Sequence, residues 1–292
     1  MLNIQGVYTA LVTPMQNNEV DYAALRRLVE MQIAGQVAGI VPVGTTGESP
    51  TLTYEEHAKV IRTVIEVAAG RCQVIAGTGA NCTREAIEMT REAAADGADG
   101  TLQVTPYYNK PTQEGIYRHF SEIADKGGLP VFLYNVPGRS GVAIAESTVQ
   151  KLAANSNIVA IKEAAGSVDR VSAIKHLCGD SITVLSGDDS LTLPMMSVGA
   201  KGIISVASNI IPAEMSKMVA AFLQGDLATA QALHAKYFAF FRDQFIETNP
   251  IPIKAAMAMA GLIAEEYRLP LCEMSPANRE KLAATMRECG MI

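Results

Sequence analysis

Short apolar or β-branched runs recur along the chain, each followed by a stretch in which apolar residues return every three or four positions. The runs are Val7–Val12, Gly39–Val43, Gln73–Gly77, Gly100–Val104, Val131–Asn135, Ile158–Lys162, Thr183–Ser186 and Gly202–Val206. Little polar alternation breaks them, as expected of parallel strands buried on both faces. The intervening stretches carry helix-capping chemistry. "TYEEHAKVIRTVIEVAAG" opens on Thr53 as N-cap, completes a capping box with Glu56 and stops at Gly70. "TREAIEMTREAAADG" repeats the design from Thr83 to Gly97, and "TQEGIYRHFSEIADKGG" does so from Thr112. The repeat is roughly 25–30 residues, the size of a βα unit.

Eight such units predict an α/β fold, a (β/α)8 TIM barrel. The competing architecture is a doubly wound open sheet, which usually carries a glycine-rich dinucleotide fingerprint after its first strand. Here the first strand runs into "TPMQNNEV", and neither "GTTGES" nor "GTGAN" matches a phosphate loop ending in Gly-Lys-Ser/Thr. After Ser205 the repeat is complete. The stretch from Pro212 to Ile292 reads as three or four helices, a last barrel helix and an appendage. The predicted division is a catalytic barrel over 1–224 and a C-terminal helical extension over 225–292. In "LATAQALHAKYFAFFRDQF" the apolar stripe has helical spacing and reads as packing.

Length and composition are consistent with this. The chain has 292 residues, 49% hydrophobic and 18% charged, enough for one large core. Its net charge of −6 is spread without a basic tract, which argues against nucleic-acid binding. The longest apolar stretch, Ala255 to Ala264, is too short to span a bilayer. "MLNIQGVYTALVTP" lacks a basic n-region and a cleavage pattern, so no signal peptide is read. Five scattered cysteines, with no C-x-x-C pair, suggest reduced thiols and a cytoplasmic chain. Four isolated histidines make a His-rich metal site improbable, although carboxylate ligands stay open. No metal and no cofactor is expected.

In a (β/α)8 barrel the chemistry sits at the carboxyl ends of the strands. Those ends carry Gly44-Thr45-Thr46-Gly47-Glu48, Thr105-Pro106-Tyr107-Tyr108-Asn109, Tyr134-Asn135-Val136-Pro137-Gly138-Arg139, Lys162-Glu163, Ser186-Gly187-Asp188-Asp189 and Ile204-Ser205. Lys162 ends the apolar run "IVAIK", and pattern alone leaves two readings. It can snorkel to water from a strand end, or it can be wanted as an amine nucleophile, since desolvation favours neutral lysine. A tyrosine or threonine in these places is, taken singly, an ordinary core or turn residue.

Taken together, "GTTGES", "GTGANCTREAI", "VTPYYNKPTQEG", "LYNVPGRSG", "IVAIKEAAG", "LSGDD" and "NPIPIK" resemble the dihydrodipicolinate synthases, within the pyruvate-dependent class I aldolase and N-acetylneuraminate lyase family. The likeness runs in order over nearly the whole chain. It implies that Lys162 forms an imine with pyruvate, and that Tyr134, Thr45 and Tyr108 form a proton relay, Tyr108 reaching in from a neighbouring subunit. It implies further that Thr46 holds the pyruvate carboxylate and Arg139 that of L-aspartate 4-semialdehyde. Gly187 and Ile204 shape the pocket, and Asn249 has an outer role. The implied product is 4-hydroxy-tetrahydrodipicolinate, on the way to diaminopimelate and lysine. The implied assembly is a homotetramer, a dimer of dimers. An L-lysine inhibitor site would use Ser49, Pro50, Tyr54, His57, Asn81, Glu85 and Tyr107. The alternative within the family is a sialic-acid or sugar-acid lyase, against which Arg139 argues. "GRS" and "EAAG" depart slightly from the commoner "GRT" and "EATG".

Overall fold

The computed structural model describes residues 2–292. The strands are β1 Gly6–Ala10, β2 Met15–Gln16, β3 Glu19–Val20, β4 Gly39–Val41, β5 Gln73–Gly77, β6 Gly100–Val104, β7 Val131–Asn135, β8 Ile158–Glu163, β9 Thr183–Ser186 and β10 Gly202–Ser205. The helices are α1 Tyr22–Ala34, α2 Tyr54–Ala68, α3 Thr83–Asp96, α4 Gln113–Lys126, α5 Pro137–Ser140, α6 Glu146–Leu152, α7 Val168–Cys178, α8 Thr192–Ser197, α9 Pro212–Leu223, α10 Leu227–Asp243, α11 Ile251–Met259 and α12 Pro276–Glu288. Apart from the short antiparallel hairpin β2–β3, the strands close into an eight-stranded parallel barrel in sequence order, with β10 returning to β1.

The uniformly apolar strands have two destinations. Alternate side chains of one strand point to opposite faces. On β7, Phe132 and Tyr134 point into the barrel while Val131 and Leu133 join the layer between sheet and helices. On β8, Ala160 faces inward and Ile161 outward. The inner filling, which includes Tyr8, Val41, Ile75, Leu102, Leu185 and Ile204, is a solid core. Gly39 is required there, because a Cβ would come within 2.5 Å of the Tyr8 ring.

All eight expected strands are present, and three end early. Val7–Val12 and Gly39–Val43 each lose their last two residues, and Gly202–Val206 loses its last one. The final rung runs from the Leu11 N–H to the Val41 carbonyl, and the Val12 N–H turns instead to Asn209 Oδ1 at 3.0 Å. Val43 enters a left-handed turn at φ 49°. The capping box of Thr53 and Glu56 is present, as is the Thr112 cap. The Thr83 cap is a correction. The N-cap of α3 is Cys82, which makes no side-chain cap bond, and Thr83 Oγ1 pairs with His119 Nδ1 at 3.0 Å. The hairpin β2–β3 was not foreseen either; two-residue strands leave no periodicity to read. Beyond the barrel, α10 packs on α9, and α12 covers α10 and α11.

His119 lies buried between α3 and α4, and burial pulls its imidazole down to about 4. The folded state therefore resists protonation. This contribution is complete above the unfolded value of 6.5 and is lost as pH falls toward about 4. His119→Phe is expected to flatten the acid side of the stability curve over this range, by about 3 kcal/mol if the whole shift is removed. Urea midpoints from pH 7 to 4 check it; an unchanged slope refutes it.

Candidate active site

β7 and β8 are in register with Tyr134 opposite Lys162 and Asn135 opposite Glu163. Period-two alternation then turns Tyr134 and Lys162 into the barrel mouth and the next pair away from it. Lys162 is only 5% exposed, and its Nζ lies 4.3 Å from the centre of the Tyr134 ring. Glu163, the adjacent carboxylate, is fully buried and engaged elsewhere. It accepts from both Asn135 Nδ2 and the Ala165 N–H, at 2.8–3.0 Å, and from Arg170 Nε at 3.3 Å. Arg170 continues to Glu146 and the Ile144 carbonyl. This network ties the ends of β7 and β8 together from the side opposite Lys162.

The loop after β4 is a tight double turn. The N–H groups of Gly47 and Ser49 return to the Gly44 carbonyl, and that of Glu48 to the Thr45 carbonyl. The amides of Thr45 and Thr46 have no acceptor among the described residues. A Cβ on Gly47 would stand 2.9 Å from the Val43 backbone, so glycine is needed for closure. Val43 and Glu48 sit at positive φ, as do Tyr108 and Lys110 after β6. Such conformations cost on the order of 1–3 kcal/mol each and cluster at functional sites. These four stand on loops that follow barrel strands, whereas Gln36 and Ala69, also at positive φ, only end α1 and α2.

A cavity of about 310 Å³ opens at this rim. Thr45, Tyr134 and Arg139 line it, together with Ser49, Pro50, Tyr107, Asn249 and Leu271. Thr46 lies just behind the wall, accepting from Asn249 Nδ2 at 3.0 Å. Arg139 Nη2 donates to the Asn249 carbonyl at 3.1 Å. Gly187 follows β9, with its N–H on the Glu163 carbonyl, and a Cβ there would meet Ala164 at 2.5 Å. Ile204 is fully buried inside the barrel on β10. Tyr108 is not gathered into the cavity: it is 90% exposed. Tyr54 and His57 line a separate shallow hollow. Asn81 Nδ2 donates to the Tyr107 carbonyl, and Glu85 stands in the first turn of α3. Burial raises Tyr107, and the charge of Glu85 adds to the rise.

Three residues inside the quoted motifs, to which the sequence assigned no role, stand around this mouth. Asp189, fully buried, accepts from Ser205 Oγ, Gln244 Nε2 and the amides of Val206 and Ala207, and so fixes the turn after Ile204. Asp188 is half-buried, and desolvation pushes it up to about 6, opposed by Lys162 and reinforced by Asp189 and Glu163. Lys254, from α11, is fully buried against Glu48 of the β4 loop. Its signal was in the sequence: "IPIKAAMAMA" is a second lysine inside an apolar run. Among the described residues no group of three His, Cys, Asp or Glu is placed to hold a metal ion.

The profile of the Dihydrodipicolinate synthetase family matches residues 3–289. The chain belongs to that family. The 4-hydroxy-tetrahydrodipicolinate synthase of Geobacter metallireducens is 53% identical over 288 residues, 99% of each chain. Among solved structures, the 4-hydroxy-tetrahydrodipicolinate synthase of Methylacidiphilum fumariolicum SolV superposes with a TM-score of 0.97 at 52% identity, over 99% of this chain and 96% of that one. A dihydrodipicolinate synthase from Cyanidioschyzon merolae, solved with lysine bound, has a TM-score of 0.95 at 42% identity, covering 99% of both chains. Of the residues the motifs name, Thr45, Ser49, Pro50, Tyr107, Tyr134, Arg139 and Asn249 line the cavity; Lys162, Thr46, Gly187 and Ile204 lie outside its lining, Tyr108 is exposed, and Tyr54 and His57 line the separate hollow.

Glu163→Ala is expected to destabilise the protein by about 3 kcal/mol, since it leaves Arg170 and Asn135 facing an unpaired site. Activity should fall further than folded fraction does, because the Tyr134–Lys162 register loosens. Denaturant midpoints and turnover on the same samples check this; turnover that simply tracks folded fraction refutes the link.

Proposed function

We propose that this chain condenses pyruvate with L-aspartate 4-semialdehyde through an imine on Lys162, giving 4-hydroxy-tetrahydrodipicolinate for diaminopimelate and lysine biosynthesis. The observation that carries the reading is the Lys162–Tyr134 pair, a buried amine set over a tyrosine ring at the mouth of a barrel whose family is established. Lys162 Nζ attacks the keto carbon of pyruvate and water leaves. The positive imine nitrogen acidifies the adjacent methyl group, which loses a proton to give an enamine. The enamine carbon attacks the aldehyde of the semialdehyde. The semialdehyde amine then displaces Lys162 as the ring closes, and the enzyme amine is freed.

Each proton must be passed on, and hydroxyls suit this because each both donates and accepts. Tyr134 and Thr45 share the cavity wall. Tyr108 completes the relay from a second subunit, which fits its exposure and left-handed backbone at φ 69°. The assembly in this reading is a homotetramer built as a dimer of dimers. The free amides of Thr45 and Thr46 suit the pyruvate carboxylate. Arg139, held by the Asn249 carbonyl, suits bidentate binding of the semialdehyde carboxylate. Gly187 and Ile204 shape the wall behind Lys162. The catalytic unit is the barrel, 1–224, and 225–292 supports it. Five free cysteines fit a cytoplasmic setting, and no described helix is long and apolar enough to cross a membrane.

Free L-lysine binds, in this reading, at Ser49, Pro50, Tyr54, His57, Asn81, Glu85 and Tyr107. Ser49, Pro50 and Tyr107 line the same cavity as Thr45, so a ligand there can reach the relay.

Borohydride with pyruvate is expected to fix one three-carbon adduct on Lys162, read by peptide mass mapping; a label on another lysine, or none, overturns the mechanism. Millimolar lysine is expected to inhibit at saturating pyruvate, and Glu85→Ala to weaken that inhibition at least tenfold. Inhibition unchanged by Glu85→Ala discards the regulatory site and leaves the catalytic one standing.

A further inference from the structure

The ion pair between Lys254 and Glu48 is unlike every other among the described residues, because both side chains are 0% exposed. It joins positions 206 apart in sequence, α11 to the tight turn after β4. A buried pair is not by itself a source of stability, since desolving two charges offsets most of their attraction. Such a pair needs another reason. Glu48 belongs to the turn that presents the free amides of Thr45 and Thr46, and it lines the same cavity as Thr45 and Tyr134. A lone carboxylate there would oppose any anion brought to those amides, in a setting screened little by water.

We propose that Lys254 is the internal counter-ion of the anion-binding turn: by cancelling Glu48 it allows Thr45 and Thr46 to accept the carboxylate of a 2-oxo acid. The inference rests on the assignment of that turn to pyruvate made above. Lys254 touches no substrate and acts through Glu48, so it is a positioning residue. Its surroundings fit the role. Its Nζ also lies 5.3 Å from the centre of the Tyr267 ring, and Tyr267 is anchored on the Ile251 carbonyl at 3.1 Å. Glu48 Oε2 takes a further, long contact from the Arg268 amide at 3.5 Å. Arg268 is held by both oxygens of Glu56 and the Thr51 carbonyl, so it reinforces the turn from outside. Five residues before Lys254, Asn249 donates to Thr46, so one short segment supplies both the charge and the hydrogen bond behind the turn.

The test compares the wild type with Lys254→Met and with the double variant Lys254→Met/Glu48→Gln, which restores neutrality without ions. The readouts are KM for pyruvate, KM for the semialdehyde, kcat, and the pyruvate concentration giving half-maximal borohydride trapping on Lys162. Lys254→Met is expected to raise the pyruvate KM and trapping midpoint at least tenfold. The semialdehyde KM should stay within about threefold, and the double variant should return the pyruvate values to within about threefold of wild type. Equal loss for both substrates, or a double variant as poor in pyruvate as the single, overturns the inference. If Lys254→Met does not fold, the double variant decides: pyruvate values within threefold of wild type uphold the proposal, and a tenfold rise overturns it. Wild-type enzyme that traps no pyruvate on Lys162 refutes the underlying assignment instead, a separate result.

Discussion

The mouth of this barrel is organised around a buried lysine that forms no salt bridge among the described residues, although Asp188 is close enough to feel its charge. Lys162 is nearly inaccessible, yet the acid next to it in sequence, Glu163, is turned to the other side of the sheet and saturated by Asn135, Ala165 and Arg170. What faces the amine is the π-cloud of Tyr134. An aromatic face attracts a cation without holding it as a carboxylate would. A tight ion pair would tie up the lone pair that imine chemistry needs. The alternation of a parallel strand achieves the separation at no geometric cost: adjacent residues on β8 face opposite environments, one reactive and one structural.

The carboxylates around this mouth are correspondingly structural. Glu163 locks β7 to β8, and Asp189 locks the end of β9 to the turn after β10 through Ser205, Val206 and Ala207. Each uses a charge to gather several donors from separate elements, which a neutral side chain could not satisfy as fully. The loops between strands can then carry strained turns at Val43, Glu48 and Tyr108, because the strand ends beneath them are pinned independently.

Much of this was legible in the chain. Eight apolar runs at a regular spacing can hardly be arranged other than in a parallel sheet with helices outside, and Thr53–Glu56 and Thr112 mark their helices by local hydrogen bonding alone. The lone lysine of "IVAIK" pointed to the site. The same pattern in "IPIKAAMAMA" marks a second buried lysine, Lys254, which the motif names without a role. Pattern registers that a charge is buried; it cannot register whether a partner 206 positions away meets it. The Thr83 cap failed for a related reason. Its hydroxyl answers to His119 on the next helix, a tertiary claim that outweighs the local one. Tyr108 marks a third limit: the motif names it, yet within this chain it stands 90% exposed, outside the cavity.

The contacts that finish the mouth come from the two ends of the polypeptide. Asn209 stitches β1 to the end of β10, Asn249 and Lys254 brace the turn after β4, and Glu266 and Arg268 hold the hairpin near Asn17 and Asn18. Contacts of such long loop closure form late in folding. During synthesis, then, the barrel has all its strands once Ser205 has emerged, yet the turn after β4 stays unbraced until the last fifth of the chain has been made. A chain that stopped short of Asn249 would carry all eight barrel strands and still lack the groups behind that turn. The seam that backs the mouth is made by residues synthesised after every strand.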